Sequence, residues 1–341
     1  MTLASDQALA PPAPPTEADW DRAIGTIRAA NRIVLSCHVS PDGDALGSTL
    51  ALGIALARLG KDVVASHDTW PLRTPPSLEF LPGQELIVEA STIDYAPDLL
   101  MTFDTGSRDR LGALGALLDS AQDSIVVDHH VTNTQFGSHN LIDVSAASTT
   151  VIVGDLLDRL GVEWDAQIAT CLYTGLVTDT GSFKYAATTP EVHRLAARLL
   201  ATGIRQDLIA RAVYDTASFG YVKLLGTVLS RAELDTEHDL VWTSVSAADL
   251  ASHRLGLDEI EGVIDVVRLT AEAEVAAVIK QDVDGAWKVS TRSKGNVDVG
   301  ELCQSLGGGG HRFAAGYTST GDLDFTVAEL RAALDKLPAT P

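Results

Sequence analysis

The sequence predicts an α/β fold in which a mainly parallel-sheet N-terminal domain is joined by a helical linker to a smaller α+β domain. Three observations support this prediction. From Arg32 to about Gly203, short apolar runs alternate with helical stretches, which is the pattern of βαβ units in a parallel sheet. After Gly203 the strand-like runs have fewer helices between them. The length of 341 residues is that of two domains.

Four strands and four helices are predicted in the first domain. The strands are the apolar, β-prone runs at 33–39, 63–66, 99–103 and 124–127. The helices are the stretches at 44–59, 149–160, 166–177 and 191–201. Gly60 closes the first helix at its C-terminal cap, whereas Thr189 caps the last helix, which begins at Pro190.

The second part of the chain opens with an amphipathic helical segment at 208–229. The elements predicted after it are strands at 240–245, 273–279 and 287–291 and helices at 298–306 and 326–337. The domain boundaries follow from these elements. We expect a disordered Ala/Pro-rich leader at 1–18, a first domain at 19–203, a helical linker at 204–229 and a second domain at 230–338.

Composition restricts the functional classes. The net charge of −21 argues against long duplex nucleic acid as a partner, because such binding depends on Lys and Arg. No apolar run has membrane-spanning length, and the N-terminus is not a secretory signal. Three widely spaced cysteines form neither a disulfide framework nor a zinc motif, which indicates a cytoplasmic protein. The segment 286–316 is locally basic, against the overall charge, with four cations against two carboxylates, so we expect an anionic ligand there.

Asp and His residues collect where the apolar segments end. These candidate metal ligands are His38, Asp42, Asp44, Asp104, Asp128, His129, His130 and Asp179. The carboxyl ends of parallel strands meet at one edge of an open α/β sheet, where binding sites are built. Carboxylates combined with imidazoles suit a divalent-metal cluster. The predicted chemistry is therefore metal-assisted hydrolysis of a phosphoester.

Each polar residue taken alone also has a purely structural interpretation. A single Asp after a strand is most often a helix cap or a turn residue. Asn133 either binds a phosphate or caps a turn, and Arg108 and Arg110 either bind phosphate or form a solvated face. The glycine run 307–310 is followed at once by His311 and by small residues, which favours close approach of an anion over a passive linker.

These motifs together resemble the DHH phosphoesterase superfamily, which takes its name from Asp128-His129-His130. The segments SCHVSPDGDALGS, FDTGSRDR, VVDHH and LVTDTGSF match its four ordered motifs, and TRSKGNVDVGELCQSLGGGGHRFAAG resembles the companion DHHA1 domain. The likeness covers nearly the whole chain from about Trp20. It is closest to the nanoRNase and pAp-phosphatase branch, which implies a phosphodiesterase or phosphatase acting on short oligoribonucleotides, pAp and cyclic or linear dinucleotides (c-di-AMP, pApA, pGpG).

The resemblance also implies roles for individual residues. One Mn2+ would be held by His38 and Asp42, a second by Asp44, His129 and Asp179, and both by the bridging Asp104. Mg2+ or Co2+ would substitute, and a hydroxide activated by the two ions would attack the phosphate. His130 would face that phosphate, and Asp128 would support the site without itself binding a metal ion. The expected substrate-binding residues are Arg110, Asn133, Arg292, Ser293, Gly308, Gly309, Gly310 and His311.

Two other functions remain open on sequence grounds. A family II-like inorganic pyrophosphatase would share the four metal motifs but carry a different C-terminal domain, without the GGGGH element. A non-catalytic dinucleotide-binding regulator would bind its ligand without consuming it. The expected partners are short RNA or nucleotide substrates, without long duplex nucleic acid or membrane, and the resemblance implies a homodimer.

Overall fold

The computed structural model describes residues 11–69 and 71–337, and the chain forms two compact units, Met1–Thr216 and Ala217–Pro341. Most of the predicted leader lies outside the described residues. Its last two positions are helical, because the first helix begins at Glu17 behind a capping box made by Thr16 and Asp19. Across the described ranges, no helix is both long enough and apolar enough to cross a bilayer.

The first unit contains a five-stranded, all-parallel sheet in the order β2-β1-β3-β4-β5. Its strands are β1 (Arg32–Cys37), β2 (Asp62–Ser66), β3 (Leu99–Phe103), β4 (Asp123–Asp128) and β5 (His139–Ile142). Its α-helices are α1 (Glu17–Ala29), α2 (Gly43–Arg58), α3 (Thr149–Leu160), α4 (Ala166–Asp179), α5 (Pro190–Ala201) and α6 (Gln206–Tyr214). The predicted parallel α/β domain is thus confirmed, and Thr189 caps α5 as expected.

Close packing of α2 against α4 brings two predicted ligands together. Gly175 lies in α4 where a Cβ atom would be 2.8 Å from Oδ1 of Asp44 and 2.4 Å from the side chain of Thr150. A larger residue has no room at this position. The glycine therefore permits the approach that places Asp44, in the first turn of α2, near Asp179 at the end of α4.

The second unit is built on a six-stranded mixed sheet in the order β10-β11-β9-β8-β7-β6. Its strands are β6 (Glu233–Asp235), β7 (Leu240–Val245), β8 (Val275–Gln281), β9 (Trp287–Ser293), β10 (Gly309–His311) and β11 (Ala314–Ser319). Its α-helices are α7 (Phe219–Leu229), α8 (Ala247–His253), α9 (Val263–Val267), α10 (Val299–Ser305) and α11 (Leu323–Leu334).

Both faces of the second sheet are covered. In β8, Val275, Ala277 and Ile279 join the apolar cluster that contains α10 and α11. The alternate residues Ala276 and Val278 join the cluster that contains α7, α8 and α9. This alternation is the two-residue period of a strand with a helix layer on each side. It explains why the run reads as continuously apolar in the sequence.

Three details of the predicted elements are corrected. The helical segment 208–229 is two helices, because α6 ends at Tyr214 and Ser218 caps α7 by accepting the backbone N–H of Tyr221. The last helix begins at Leu323, three residues earlier than predicted, behind the N-cap Asp322. Part of the glycine run, for which the sequence predicts no element, belongs to an edge strand, β10.

Candidate metal centre and active site

The first group of predicted ligands forms after β1 and β3. Nε2 of His38 lies 3.4 Å from Oδ2 of Asp104 and 3.9 Å from Oδ2 of Asp42. Nδ1 of His38 is 2.8 Å from the carbonyl oxygen of Val39, which only accepts, so Nδ1 carries the proton of this contact. Nε2 is therefore the nitrogen directed at the carboxylates. This is the arrangement in which a backbone carbonyl orients a metal-binding histidine.

The second group of predicted ligands, around His129, has the same arrangement. Nε2 of His129 lies 3.4 Å from Asp179, 3.5 Å from Asp104 and 3.9 Å from Asp44. Its Nδ1 is 3.2 Å from the carbonyl oxygen of Ala146. Two histidines from different strand ends thus point the same ring atom at carboxylates, and each is oriented by a backbone carbonyl.

Asp104 lies between the two groups. Its Oδ2 is near His38 and its Oδ1 is near His129, and its side chain is 4 % exposed. The residue has a φ of 53°, a left-handed conformation that Asp adopts more readily than most residues. Its backbone N–H still donates to the carbonyl oxygen of Val127, which continues the β3–β4 ladder. The turn at the end of β3 therefore aims the carboxylate between the two histidines.

Sequence reasoning missed the residues that hold these carboxylates. The backbone N–H groups of Thr149 and Thr150, at the start of α3, donate to the two oxygens of Asp44 at 2.6 and 2.9 Å. The Thr149 hydroxyl donates to Oδ1 of Asp104 at 3.3 Å. Asp44 therefore caps a helix from another part of the chain, and Ser148, the N-cap residue, makes no side-chain cap bond. A Ser-Thr-Thr run before an apolar helix predicts only a helix start.

Buried negative charge dominates the electrostatics of the cluster. Burial and the neighbouring charge of Asp104 raise the pKa of Asp44 to about 7, although His129 acts in the opposite direction. Burial and the charges of Asp44 and Asp104 also raise the pKa of Asp179 well above its usual value. For Asp104, burial raises the pKa, but the hydrogen bond with His38 and the charge of His130 outweigh it and lower the pKa.

The donor set fits divalent cations. The ligand atoms of His38, Asp42 and Asp104 all lie within 4.8 Å of one another, and so do those of Asp44, His129 and Asp179. Each group combines carboxylate oxygens with one imidazole. Such ligands suit Mn2+ or Mg2+, whereas structural zinc sites are typically rich in thiolates. All three cysteines are buried and belong to neither group.

Asp128 and His130 form a pair that borders this cluster, because Nδ1 of His130 also lies 3.5 Å from Oδ1 of Asp104. Asp128 is fully buried, and its Oδ1 lies 2.7 Å from Nδ1 of His130. Burial lowers the pKa of His130, but the hydrogen bond and the charges of Asp128 and Asp104 outweigh it and raise the pKa to about 9. Nδ2 of Asn133 donates to the other oxygen of Asp128 at 2.6 Å. The carboxylate thus holds the imidazole in one orientation.

The arginines that follow β3 have different surroundings. The guanidinium of Arg108 forms an ion pair with Asp119. The side chain of Arg110 is exposed, and its carbonyl oxygen accepts the backbone N–H of Val39 at 2.9 Å. Arg110 is therefore attached to the loop that follows His38.

The predicted substrate-binding residues of the second unit lie on neighbouring strands. Arg292 in β9 pairs with Ala314 in β11, and His311 in β10 pairs with the same alanine. The Ser293 hydroxyl donates to Oε1 of Glu274 at 3.0 Å and accepts the N–H of Gly295. Glu274 thus supports the turn after β9, a contact the sequence pattern did not reveal.

The glycine run is shaped by its contacts with β11. Gly310 has a φ of 141°, and a Cβ there would lie 2.5 Å from Cα of Ala315, so a side chain is excluded. At Gly309, which begins β10, a Cβ would meet nothing within 4 Å. Because β10 is the edge strand of its sheet, one side of its backbone has no neighbouring strand among the residues that the structure describes.

The comparisons with known proteins agree with this architecture. Residues 32–176 match the DHH family N-terminal domain, and residues 245–338 match the DHHA1 domain. The chain belongs to the DHH family. It is 38 % identical to the bifunctional oligoribonuclease and PAP phosphatase NrnA of Thermus thermophilus, over 86 % of each chain. The probable NrnA of Streptococcus mutans is 28 % identical, over 87 % of this chain and 92 % of that protein.

A solved structure shows the same fold. An exopolyphosphatase-related protein from Bacteroides fragilis superposes with a TM-score of 0.86 at 27 % identity, over 94 % of this chain and 96 % of its own. The arrangement of a parallel-sheet unit followed by a mixed-sheet unit is therefore shared across nearly the full length of both chains.

Proposed function

We propose that this protein is a metal-dependent phosphoesterase that hydrolyses short oligoribonucleotides and pAp. The observation that carries the proposal is the pair of ligand groups around Asp104, each with one imidazole and carboxylates. The names of the NrnA relatives supply the substrate class. Linear and cyclic dinucleotides are further candidate substrates of the same chemistry.

The proposed cofactors are two Mn2+ ions per chain, with Mg2+ or Co2+ as substitutes. His38 and Asp42 would hold one ion, and Asp44, His129 and Asp179 would hold the other, with Asp104 shared. When bound, the two ions would polarise the phosphate and provide a nucleophile from water at neutral pH. The α3 amides would keep Asp44 in place throughout.

His130 is proposed to act on the phosphate that is cleaved. Because its Nδ1 contacts Asp128, the ring would use Nε2 to hold a proton for the leaving oxygen. In the second unit, Arg292 and His311, with the Gly308, Gly309 and Gly310 backbone, are proposed to bind substrate. Ser293, which is held by its hydrogen bond to Glu274, would contribute to this binding site. In the first unit, Arg110 would place a positive charge near the loop after His38.

The test is product release from a panel of substrates in Mn2+: a 5′-phosphorylated diribonucleotide, pAp, cyclic di-AMP and pyrophosphate. The proposal predicts mononucleotide from the diribonucleotide or phosphate from pAp, both abolished by a chelator. Cleavage of pyrophosphate alone would identify a pyrophosphatase instead. Tight binding of a dinucleotide without product would identify a regulator.

A further inference from the structure

The side-chain amide of Asn133 makes three hydrogen bonds inside the protein. It is 4 % exposed and lies in the loop after β4. Nδ2 donates to Oδ2 of Asp128 at 2.6 Å and to the carbonyl oxygen of Thr105 at 3.1 Å. Oδ1 accepts the backbone N–H of Gln135 at 2.6 Å. Both donor hydrogens of the amide are therefore used by contacts within the chain.

The carboxylate of Asp128 is consequently held from both sides. One oxygen lies 2.7 Å from Nδ1 of His130, and the other accepts from Asn133. Rotation of this carboxylate would break both contacts. Because Asp128 is fully buried, the loss of the Asn133 donor would remove the hydrogen bond that its second oxygen accepts in the structure.

Asn133 also connects the two loops that carry the site. Its contact with Thr105 reaches the residue directly after Asp104. The neighbouring Thr134 N–H donates to the carbonyl oxygen of Gly106 at 2.9 Å, and the Asn133 N–H donates to that of His130 at 3.1 Å. The loop after β3 and the loop after β4 are thus fastened to each other at this side chain.

We propose that Asn133 is a positioning residue that acts through Asp128: it fixes the His130 ring relative to the loop of Asp104. The inference rests on the proposed function and assigns Asn133 no contact with substrate. If His130 delivers a proton to the leaving oxygen, Asn133 should matter most for substrates whose leaving group needs that proton.

Asn133→Ala should be compared with Asn140→Ala. Asn140 is a matched control, because its amide contacts only the backbone of Gly137 and lies outside the metal ligands.

Two substrates would be used, a 5′-phosphorylated diribonucleotide and a nucleoside 5′-(p-nitrophenyl phosphate), whose p-nitrophenolate leaves without protonation. Asn133→Ala should lower kcat for the diribonucleotide about 10- to 100-fold, with far less effect on the ester, KM or Mn2+ affinity. Asn140→Ala should change none of these.

Equal losses on the two substrates, weakened Mn2+ binding, or an unchanged kcat would each overturn the inference. If Asn133→Ala does not fold, Asn133→Asp replaces it, since that variant keeps the size and an acceptor for Gln135 but presents a carboxylate to Asp128. It should show the same substrate-dependent loss. Failure of the wild type to cleave any oligonucleotide or pAp would instead overturn the proposed function.

Discussion

Thr149→Val provides a direct test of how the metal cluster is supported. The substitution removes the hydroxyl that donates to Oδ1 of Asp104 but keeps the β-branched shape and the backbone N–H that holds Asp44. A hydrogen bond to a charged acceptor contributes about 1.5–3 kcal/mol. The distance of 3.3 Å is long for a hydroxyl donor, so we expect only about 1 kcal/mol here. That corresponds to about a fivefold loss of Mn2+ affinity.

The assay is calorimetric titration of the metal-free protein with Mn2+. Thr174→Val is the matched control, because Thr174 is equally buried and its hydroxyl donates only to the carbonyl oxygen of Thr170 within α4. Thr149→Ser keeps the hydroxyl and should bind Mn2+ like the wild type. Unchanged affinity in Thr149→Val, or the same loss in Thr174→Val, would refute the assigned role of the α3 terminus.

Three further predictions follow from local geometry. Gly175→Ala should lower the free energy of unfolding in urea by about 1–3 kcal/mol, because the added Cβ would overlap Asp44 and Thr150. Gly226→Ala is the control and should not destabilise, because a Cβ there meets nothing within 4 Å. Equal stabilities of the two variants would contradict the close approach at Gly175. His311→Ala should raise KM for a diribonucleotide about tenfold with little change in kcat, and an unchanged KM would remove it from the binding site. Asp235→Asn should lower stability by about 1 kcal/mol at pH 7 and by much less at pH 2.

The pH dependence of the last prediction has a definite sign. Hydrogen bonds with His238 and Arg331 lower the pKa of Asp235 to about 2. A carboxyl group with a lowered pKa stabilises the folded state in full above its unfolded pKa of about 3.9, and this stabilisation is lost as the pH falls through the folded pKa of about 2. Denaturant midpoints across that interval check it. A difference between variant and wild type that is as large at pH 2 as at pH 7 would contradict the assigned interaction.

Residues at the ends of parallel strands were predictable from the sequence. A parallel sheet brings the carboxyl ends of its strands to one edge, so an Asp or His that follows each apolar run must approach the others. The structure brings His38, Asp104 and His129 together in this way. The helix 149–160 was also located correctly, because an apolar, helix-period stretch ends at Gly161 with a φ of 77°.

The supporting contacts were not predictable, because they join distant parts of the chain. Asp44 meets the α3 amides across 105 positions, and no local pattern encodes that approach. The strand β5 was missed because four residues, two of them His139 and Asn140, show too little apolar pattern. Asn133 was expected among the substrate-binding residues, with a turn cap as the alternative. Its contact with Asp128 is visible only in the folded loop.

The most direct test of the central claim is the rate of mononucleotide release from a 5′-phosphorylated diribonucleotide, measured as a function of Mn2+ bound per chain. If the two groups around Asp104 each hold an ion and act together, turnover should appear only as occupancy rises from one ion to two. Full turnover with a single ion or with none would contradict the account, and so would two bound ions without turnover.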